Sequence, residues 1–452
     1  MPSHTHPTPA LIEIDTGNFY TSPSGLQAVD PGELAKLSGK FSEIIQSVNA
    51  GQHHGLEAEY ACLNLGLTMA AQLEPIQSAA NSLRQFRDVV VVGIGGSSLG
   101  TKAILQAVDP DAFARDMARL HFAENIDSYS LHRLLSQLDP ATTALLCISK
   151  SGGTVETVVQ YLILRDWLSQ RLGEPRARRQ QWVVTDPKSG WLRELATREG
   201  LVALPVPPRV GGRYSVLSAV GLLPLAAAGV DLQQLLAGAA DNARRCSAVT
   251  ANDNPALEMA ALYYLLDTRC RKRIAVMMPY INRLQLFVDW YCQLWAESLG
   301  KWDRRQPDTT PAGTLPVRAM GAVDQHSQLQ MYLESRHDKF FTFIELKQWE
   351  HNLPIPLSEF DRQHFSYLSG KTMVDVVDAE FRATRQVITD AGHPNMTIRL
   401  PALNAHVLGQ LIDLYQRVTV YTGLLYGINP LDQPSVEKGK RLAIELLKIP
   451  AG

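Results

Sequence analysis

The sequence predicts an α/β protein made of two doubly wound units, with a helical segment before them and a further helix after them. Three observations predict it. From Asp88 to about Pro207, short apolar runs rich in β-branched residues alternate with helical stretches. A second alternating set follows a long helical passage. Two glycine- and hydroxyl-rich turns each stand between a strand-like run and a helix-like one.

In chain order, Asp30–Arg87 is mostly helical in pattern, with Leu34, Leu37, Phe41, Ile44 and Ile45 giving an apolar stripe at helical spacing. Strands are predicted at Val89–Val92, Leu120–Ala123, Leu145–Ile148, Trp182–Thr185 and Val202–Val206. The first and third are continuously apolar, as strands buried on both faces of a parallel sheet require. Strand-like runs recur at Ile274–Met278, Phe340–Ile344 and Met396–Leu400. Trp302–Pro316 carries Pro307, Pro311, Gly313 and Pro316 and reads as a long loop with a functional or subunit-facing role. The expected division is a helical segment over 1–84, α/β units over 85–240 and 241–430, and a C-terminal helix over 431–452.

Composition narrows the function. At 452 residues, 45% apolar and 19% charged, the chain is long enough for a large core. Its 43 Lys plus Arg against 45 Asp plus Glu leave a net charge of −2, so no global field draws it to nucleic acid or an anionic membrane. Any anionic ligand has to be held by local geometry. Cys62, Cys147, Cys246, Cys270 and Cys292 form no CxxC pair and read as reduced core residues, not as a zinc site or disulfide framework. The start, MPSHTHPTPALIEIDTG, lacks the basic and apolar regions of a signal peptide, and the apolar stretch Val216–Val230 is interrupted by Ser218 and Pro224. A cytoplasmic protein is expected.

The two turns carry the chemistry. In GIGGSSLG (Gly93–Gly100) and SKSGGTVET (Ser149–Thr157), glycines let several N–H groups converge, hydroxyls complete a shell, and a following helix adds its positive end. Both are expected at carboxyl ends of strands, where open α/β sheets bind ligands. A phosphate is the predicted guest. The first turn is not a P-loop, since Thr101 precedes Lys102, and not a dinucleotide fingerprint, since Ser98 stands where a third glycine is wanted.

Four further residues are candidates, each with a plainer alternative. Arg213, in GGRYSVLSAVGL, is either a surface or capping arginine or a guanidinium able to stabilise an oxyanion. Gln285, Asp289, Gln293 and Glu297 recur every four residues on an otherwise apolar helix; the stripe is either its solvent face or the setting of a carboxylate, Glu297, for proton abstraction. His326, in GAVDQHSQLQ, is a helix cap or an acid–base group. Lys440, on the last helix opened by Pro434, shares a face with Val436, Ala443 and Leu447, so it either snorkels to water or does chemistry from an inward face. The other histidines, His53 and His54 included, lack metal-ligand spacing, and no metal is assigned.

Taken together, GIGGSSLG, SKSGGTVET, GGRYS, QLWAESLGK, GAVDQHSQ and DQPSVEKGK occur in the order found in the glucose-6-phosphate isomerase family, which the chain resembles from about Gln85 to Leu447, in the shorter bacterial form. The resemblance implies two unequal sugar-isomerase (SIS-type) α/β domains and no cofactor. It implies phosphate binding by Ser149, Ser151 and Thr154, with Lys150 contributing its backbone, and sugar-phosphate contacts from Gly96, Ser97, Gln293 and Gln433. It places the proton-transferring base on Glu297, the ring-opening histidine on His326, the lysine at the ring oxygen on Lys440 and the arginine at the intermediate on Arg213. It also implies a homodimer in which the histidine comes from the neighbouring subunit, acting on a small sugar phosphate with neither nucleic acid nor membrane as partner. Gly153 stands where many members have threonine, and Ser435 where glycine is common.

Two rivals use the same fold. The isomerase part of glucosamine-6-phosphate synthase is joined to a glutaminase needing an N-terminal cysteine, whereas Pro2 stands here and no cysteine precedes Cys62. A non-catalytic sugar-phosphate sensor would not need Glu297, His326 and Lys440 together.

Overall fold

The computed structural model describes residues 10–20, 28–108, 117–302 and 311–448. Among these, the strands are β1 (Glu13–Asp15), β2 (Asp88–Val92), β3 (Arg119–Ala123), β4 (Thr143–Ser149), β5 (Gln181–Thr185), β6 (Val202–Pro205), β7 (Ile274–Pro279), β8 (Leu315–Arg318), β9 (Lys339–Leu346) and β10 (Asn395–Leu400). They form two five-stranded sheets, ordered β3-β2-β4-β5-β6 and β1-β10-β9-β7-β8. Every pairing is parallel except the antiparallel β1–β10 edge. The doubly wound α/β class expected from the alternating pattern is the class observed.

The parallel strands are the segments that their apolar runs indicate. Every residue of β2 and of β4 is buried, which suits strands covered by helices on both faces. β1 and β8 are additions without a local signal. β1 is three residues in a polar stretch, held by pairing Ile14 with Ile398 and by an Asp15–Arg399 ion pair at 2.8 Å. β8 takes the end of the segment read as one long loop; residues 303–310 of that segment, like residues 1–9 of the N-terminal stretch, lie outside the described residues.

Between Asp30 and Arg87 the helical stripe forms as short helices broken by 3-10 turns, with Leu37, Phe41, Ile44, Ile45 and Val48 buried. Asp30 opens the first of them by accepting a hydrogen bond from the Gly32 amide at 2.6 Å. The middle of the molecule is the Ala405–Leu425 helix, buried on nearly its whole circumference. Against it lies the Gln285–Leu299 helix, through Tyr291 and Phe287, whose rings stand 5.1 Å and 5.9 Å from Tyr415. Phe287, Trp290, Tyr291, Leu294 and Trp295 of that helix are all buried, each contributing about 2–3 kcal/mol of hydrophobic stabilisation. This burial fixes the helix's rotation and so aims its polar stripe.

Candidate active site

The site grows from the topology of the first sheet. The chain leaves β2 for β3 on one side and returns to β4 on the other, so a crevice opens at the carboxyl ends of β2 and β4. The GIGGSSLG turn follows β2 and the SKSGGTVET turn follows β4. Both candidate cradles therefore flank one crevice.

In the second turn the Ser149 hydroxyl accepts from the Gly152 amide at 3.2 Å, and Gly152 has a φ of +66°, a conformation that glycine enters without steric cost. Ser151 Oγ and Thr154 Oγ1 lie 3.3 Å apart. Thr154 is the N-cap of the 18-residue helix Val155–Leu172, yet its side chain makes no capping hydrogen bond. The hydroxyl and the first-turn amides thus remain available to an anion. A Cβ at Gly153 would meet nothing within 4 Å, so this departure from the common threonine leaves an open edge, not a strained one.

The first turn is placed by close backbone contact. A Cβ on Gly96 would fall 2.2 Å from the Gly212 carbonyl carbon and 2.5 Å from the Arg213 nitrogen, so only glycine lets GIGGSSLG meet GGRYS. Lys102 does not face the crevice as a P-loop lysine would. It is paired with Glu124, which also accepts from Ser98 Oγ at 2.6 Å.

Arg213 lies at the centre with its side chain only 2% exposed. Its Nε donates to Ser298 Oγ at 2.7 Å, Nη1 to Gln433 Oε1 at 2.7 Å, and Nη2 to the carbonyls of Pro430 and Asp432 at 2.7 Å and 3.0 Å. Nη1 also faces Glu297 Oε2 at 3.4 Å. Gln293 Nε2 donates to Glu297 Oε1 at 3.0 Å, while Gln293 Oε1 is buried without a partner, an acceptor awaiting a donor. The i, i+4 stripe of the Gln285–Leu299 helix is therefore not a solvent face at this end, because Gln293 and Glu297 meet the guanidinium. The structure brings together Gly96, Arg213, Gln293, Glu297 and Gln433, from four separated motifs.

Two expected partners stand apart. His326 ends the short helix Val323–His326, is exposed, and has no side-chain bond to this cluster. Lys440 is a correction to the expected inward face. Every residue of the Val436–Leu447 helix is exposed, with Val436 at 45% and Leu447 at 72%, and Lys440 Nζ pairs with Glu437 at 2.8 Å. The amphipathic pattern specifies that one side of this helix suits a covering surface, and the chain alone does not supply it.

Residues that local patterns did not mark complete the frame. Ser298 braces Arg213, and Tyr214 OH shares that hydroxyl at 2.9 Å. Lys301 bonds the Asn429 carbonyl and Asp432 Oδ1, pinning the segment that carries Gln433. A small hydroxyl among Trp295, Leu294 and Leu299 on the helix's buried side was the one available signal for Ser298. Among the described residues no three His, Cys, Asp or Glu side chains converge as a metal site requires, and no helix is long and apolar enough to cross a membrane.

The arrangement has hydroxyl-rich turns with the chemistry to receive an anion and a carboxylate beside a buried guanidinium, which suits moving a proton next to a developing oxyanion. Comparison with known proteins agrees. The family model for phosphoglucose isomerase matches residues 68–451. A glucose-6-phosphate isomerase of Rubrobacter xylanophilus is 43% identical over 78% of this chain and 81% of its own length. One of Carboxydothermus hydrogenoformans is 34% identical over 96% and 94%. The crystal structure of a Thermus thermophilus protein described as hypothetical, 33% identical, superposes with a TM-score of 0.85 over 97% of this chain and all of that one. With motifs, crevice and full-length similarity in agreement, the chain belongs to the phosphoglucose isomerase family.

Proposed function

We propose that the chain interconverts glucose 6-phosphate and fructose 6-phosphate, with Glu297 as the base and Arg213 as the stabiliser of the intermediate. The observation that carries this assignment is the Glu297–Arg213 contact at 3.4 Å, in a crevice flanked by two hydroxyl-rich turns. Family membership supports the reaction itself.

The cradle of Ser149, Ser151 and Thr154 holds the phosphate, with the Lys150 backbone contributing and with Gly96 and Ser97 approaching from the first turn. The phosphate is remote from C1 and C2, so its binding energy orients the sugar. The ring opens as a proton moves between the ring oxygen and the anomeric hydroxyl, a step for His326 and Lys440. Glu297 then takes the proton from C2 as the aldehyde oxygen gains one, giving a cis-enediol or enediolate. Returning the proton to C1 while the C2 hydroxyl loses its own completes the ketose. Arg213 stabilises the negative charge in between, and Gln293 and Gln433 bind the sugar hydroxyls.

His326 is exposed and makes no bond to Glu297 in a single chain, which supports a homodimer that takes this histidine from the second copy. Lys440 reaches the ring oxygen once the Val436–Leu447 helix packs its apolar side. The reading requires no metal or redox cofactor and places the enzyme in the cytoplasm, in glycolysis and gluconeogenesis. Purified, chelator-treated protein given fructose 6-phosphate should reduce NADP in a coupled assay with glucose-6-phosphate dehydrogenase. Sugar-phosphate binding without turnover would sink the enzyme and leave a sensor.

A further inference from the structure

Lys150 sits between Ser149 and Ser151, in the turn where its backbone is expected to meet the phosphate. Its side chain goes elsewhere. Nζ donates to the Pro208 carbonyl at 2.6 Å and to the Val210 carbonyl at 2.9 Å. Those carbonyls belong to the segment that runs through Gly211 and Gly212 into Arg213, three residues beyond the second contact. Val210 is fully buried, and Gly212 is pressed against Gly96, so the segment has little freedom to move independently of its ends. Burial draws the Lys150 pKa below the ordinary lysine value, and the Asp186 carboxylate opposes this from a distance. A partly desolvated ammonium spent on two neutral carbonyls, with no carboxylate in ion-pair range among the described residues, is there for geometry.

We propose that Lys150 is a positioning residue: its ammonium straps the Pro208–Val210 segment to the phosphate turn and so sets Arg213 at a fixed distance from the bound phosphate, without contacting the phosphate itself. This rests on the reading that the turn holds the phosphate and Arg213 serves the intermediate. The sugar is held at one end and reacts at the other, and the strap makes the span between those ends a property of the backbone.

The test compares Lys150→Met and Lys150→Arg with wild type, reading kcat in the coupled assay and the inhibition constant of inorganic phosphate. Methionine keeps the stem and removes the donors. For it, kcat should fall roughly ten- to a hundredfold while phosphate inhibition stays within about twofold, since small misplacements of a charge-stabilising group cost rate and leave the remote binding term intact. Arginine can still reach two carbonyls, so it should regain most of the lost kcat with phosphate inhibition unchanged. If either folded variant weakens phosphate tenfold or more, or Lys150→Met leaves kcat unaltered, the strap is wrong and the ammonium acts on the anion or on nothing. A wild-type protein that is inhibited by nothing and turns over nothing would instead overturn the functional reading, and that failure shows before any variant is made.

Discussion

Replacing Glu297 by glutamine preserves length and volume and removes a proton acceptor. The structure indicates how little else changes. Glu297 Oε2 faces Arg213 Nη1 at 3.4 Å, but its side chain is 36% exposed, so solvent screens the pair and its contribution to stability is about 0–1 kcal/mol. Arg213 keeps Ser298, Gln433 and the carbonyls of Pro430 and Asp432. Gln293 has a spare buried carbonyl oxygen that can accept from the new amide after a flip of its own. The melting temperature should therefore move by no more than about 1–2 °C, given an unfolding entropy near 1 kcal/mol/K for a chain of this size. Catalysis is a different matter, because loss of the general base removes about 10²–10⁴ in rate, or roughly 3–5 kcal/mol of barrier. The direct assay follows washout of deuterium from C2 of labelled glucose 6-phosphate by NMR, alongside binding of a substrate analogue. Exchange within tenfold of wild type would show that another group is the base; exchange lost together with a melting drop of many degrees would show that the carboxylate holds the fold instead.

Ser298→Ala leaves the Arg213 Nε–H buried without an acceptor, which should cost about 1–3 kcal/mol of stability and lower kcat more than it raises KM, as read by denaturant unfolding and steady-state kinetics. Gly96→Ala forces a methyl to within 2.2 Å of the Gly212 backbone; kcat/KM should drop by two orders of magnitude or so and stability by about 1–3 kcal/mol, and a fully active variant would refute the close contact. His393 is fully buried with neither ring nitrogen bonded, and burial, followed by the charges of His337, Lys272 and Lys339, lowers its pKa to about 4. The unfolded chain then binds a proton that the folded one refuses, so stability present above pH 6.5 declines as pH falls toward 4, by up to about 3 kcal/mol. His393→Phe should flatten that decline in a series of melts across this range, and an unchanged slope would show that other groups cause it.

The fold class and the places of both glycine-hydroxyl turns at strand ends were legible because each rests on local chemistry. A run such as Val89–Val92, four β-branched residues closed by a glycine turn, favours a strand with both faces covered, and the glycine-hydroxyl turn after it needs no distant residue to explain it. Glu297 was legible as one position on a polar stripe, with its solvent-face alternative still open. β1 and β8 were not, since each is too short to carry a pattern and exists through its neighbour's unpaired edge. Ser298, Lys301 and the carbonyls of Pro430 and Asp432 were equally hidden, being contacts made between segments far apart in the chain.

By itself, then, the sequence determined the two parallel sheets, the crevice-forming turns and the residue types able to move a proton beside an anion, because hydrophobic period and turn chemistry are written into neighbouring residues. Tertiary structure alone decided that Arg213, Gln293, Glu297 and Gln433 meet, that Lys102 bonds Glu124 and Lys150 the carbonyls of Pro208 and Val210, and that His326 and the Lys440 helix are exposed without a bond to that cluster. Those outcomes depend on which buried faces pack together and how far each rotates its polar groups, and a rotation set by the burial of Phe287 and Tyr291 against Tyr415 of a helix more than a hundred residues away has no local trace.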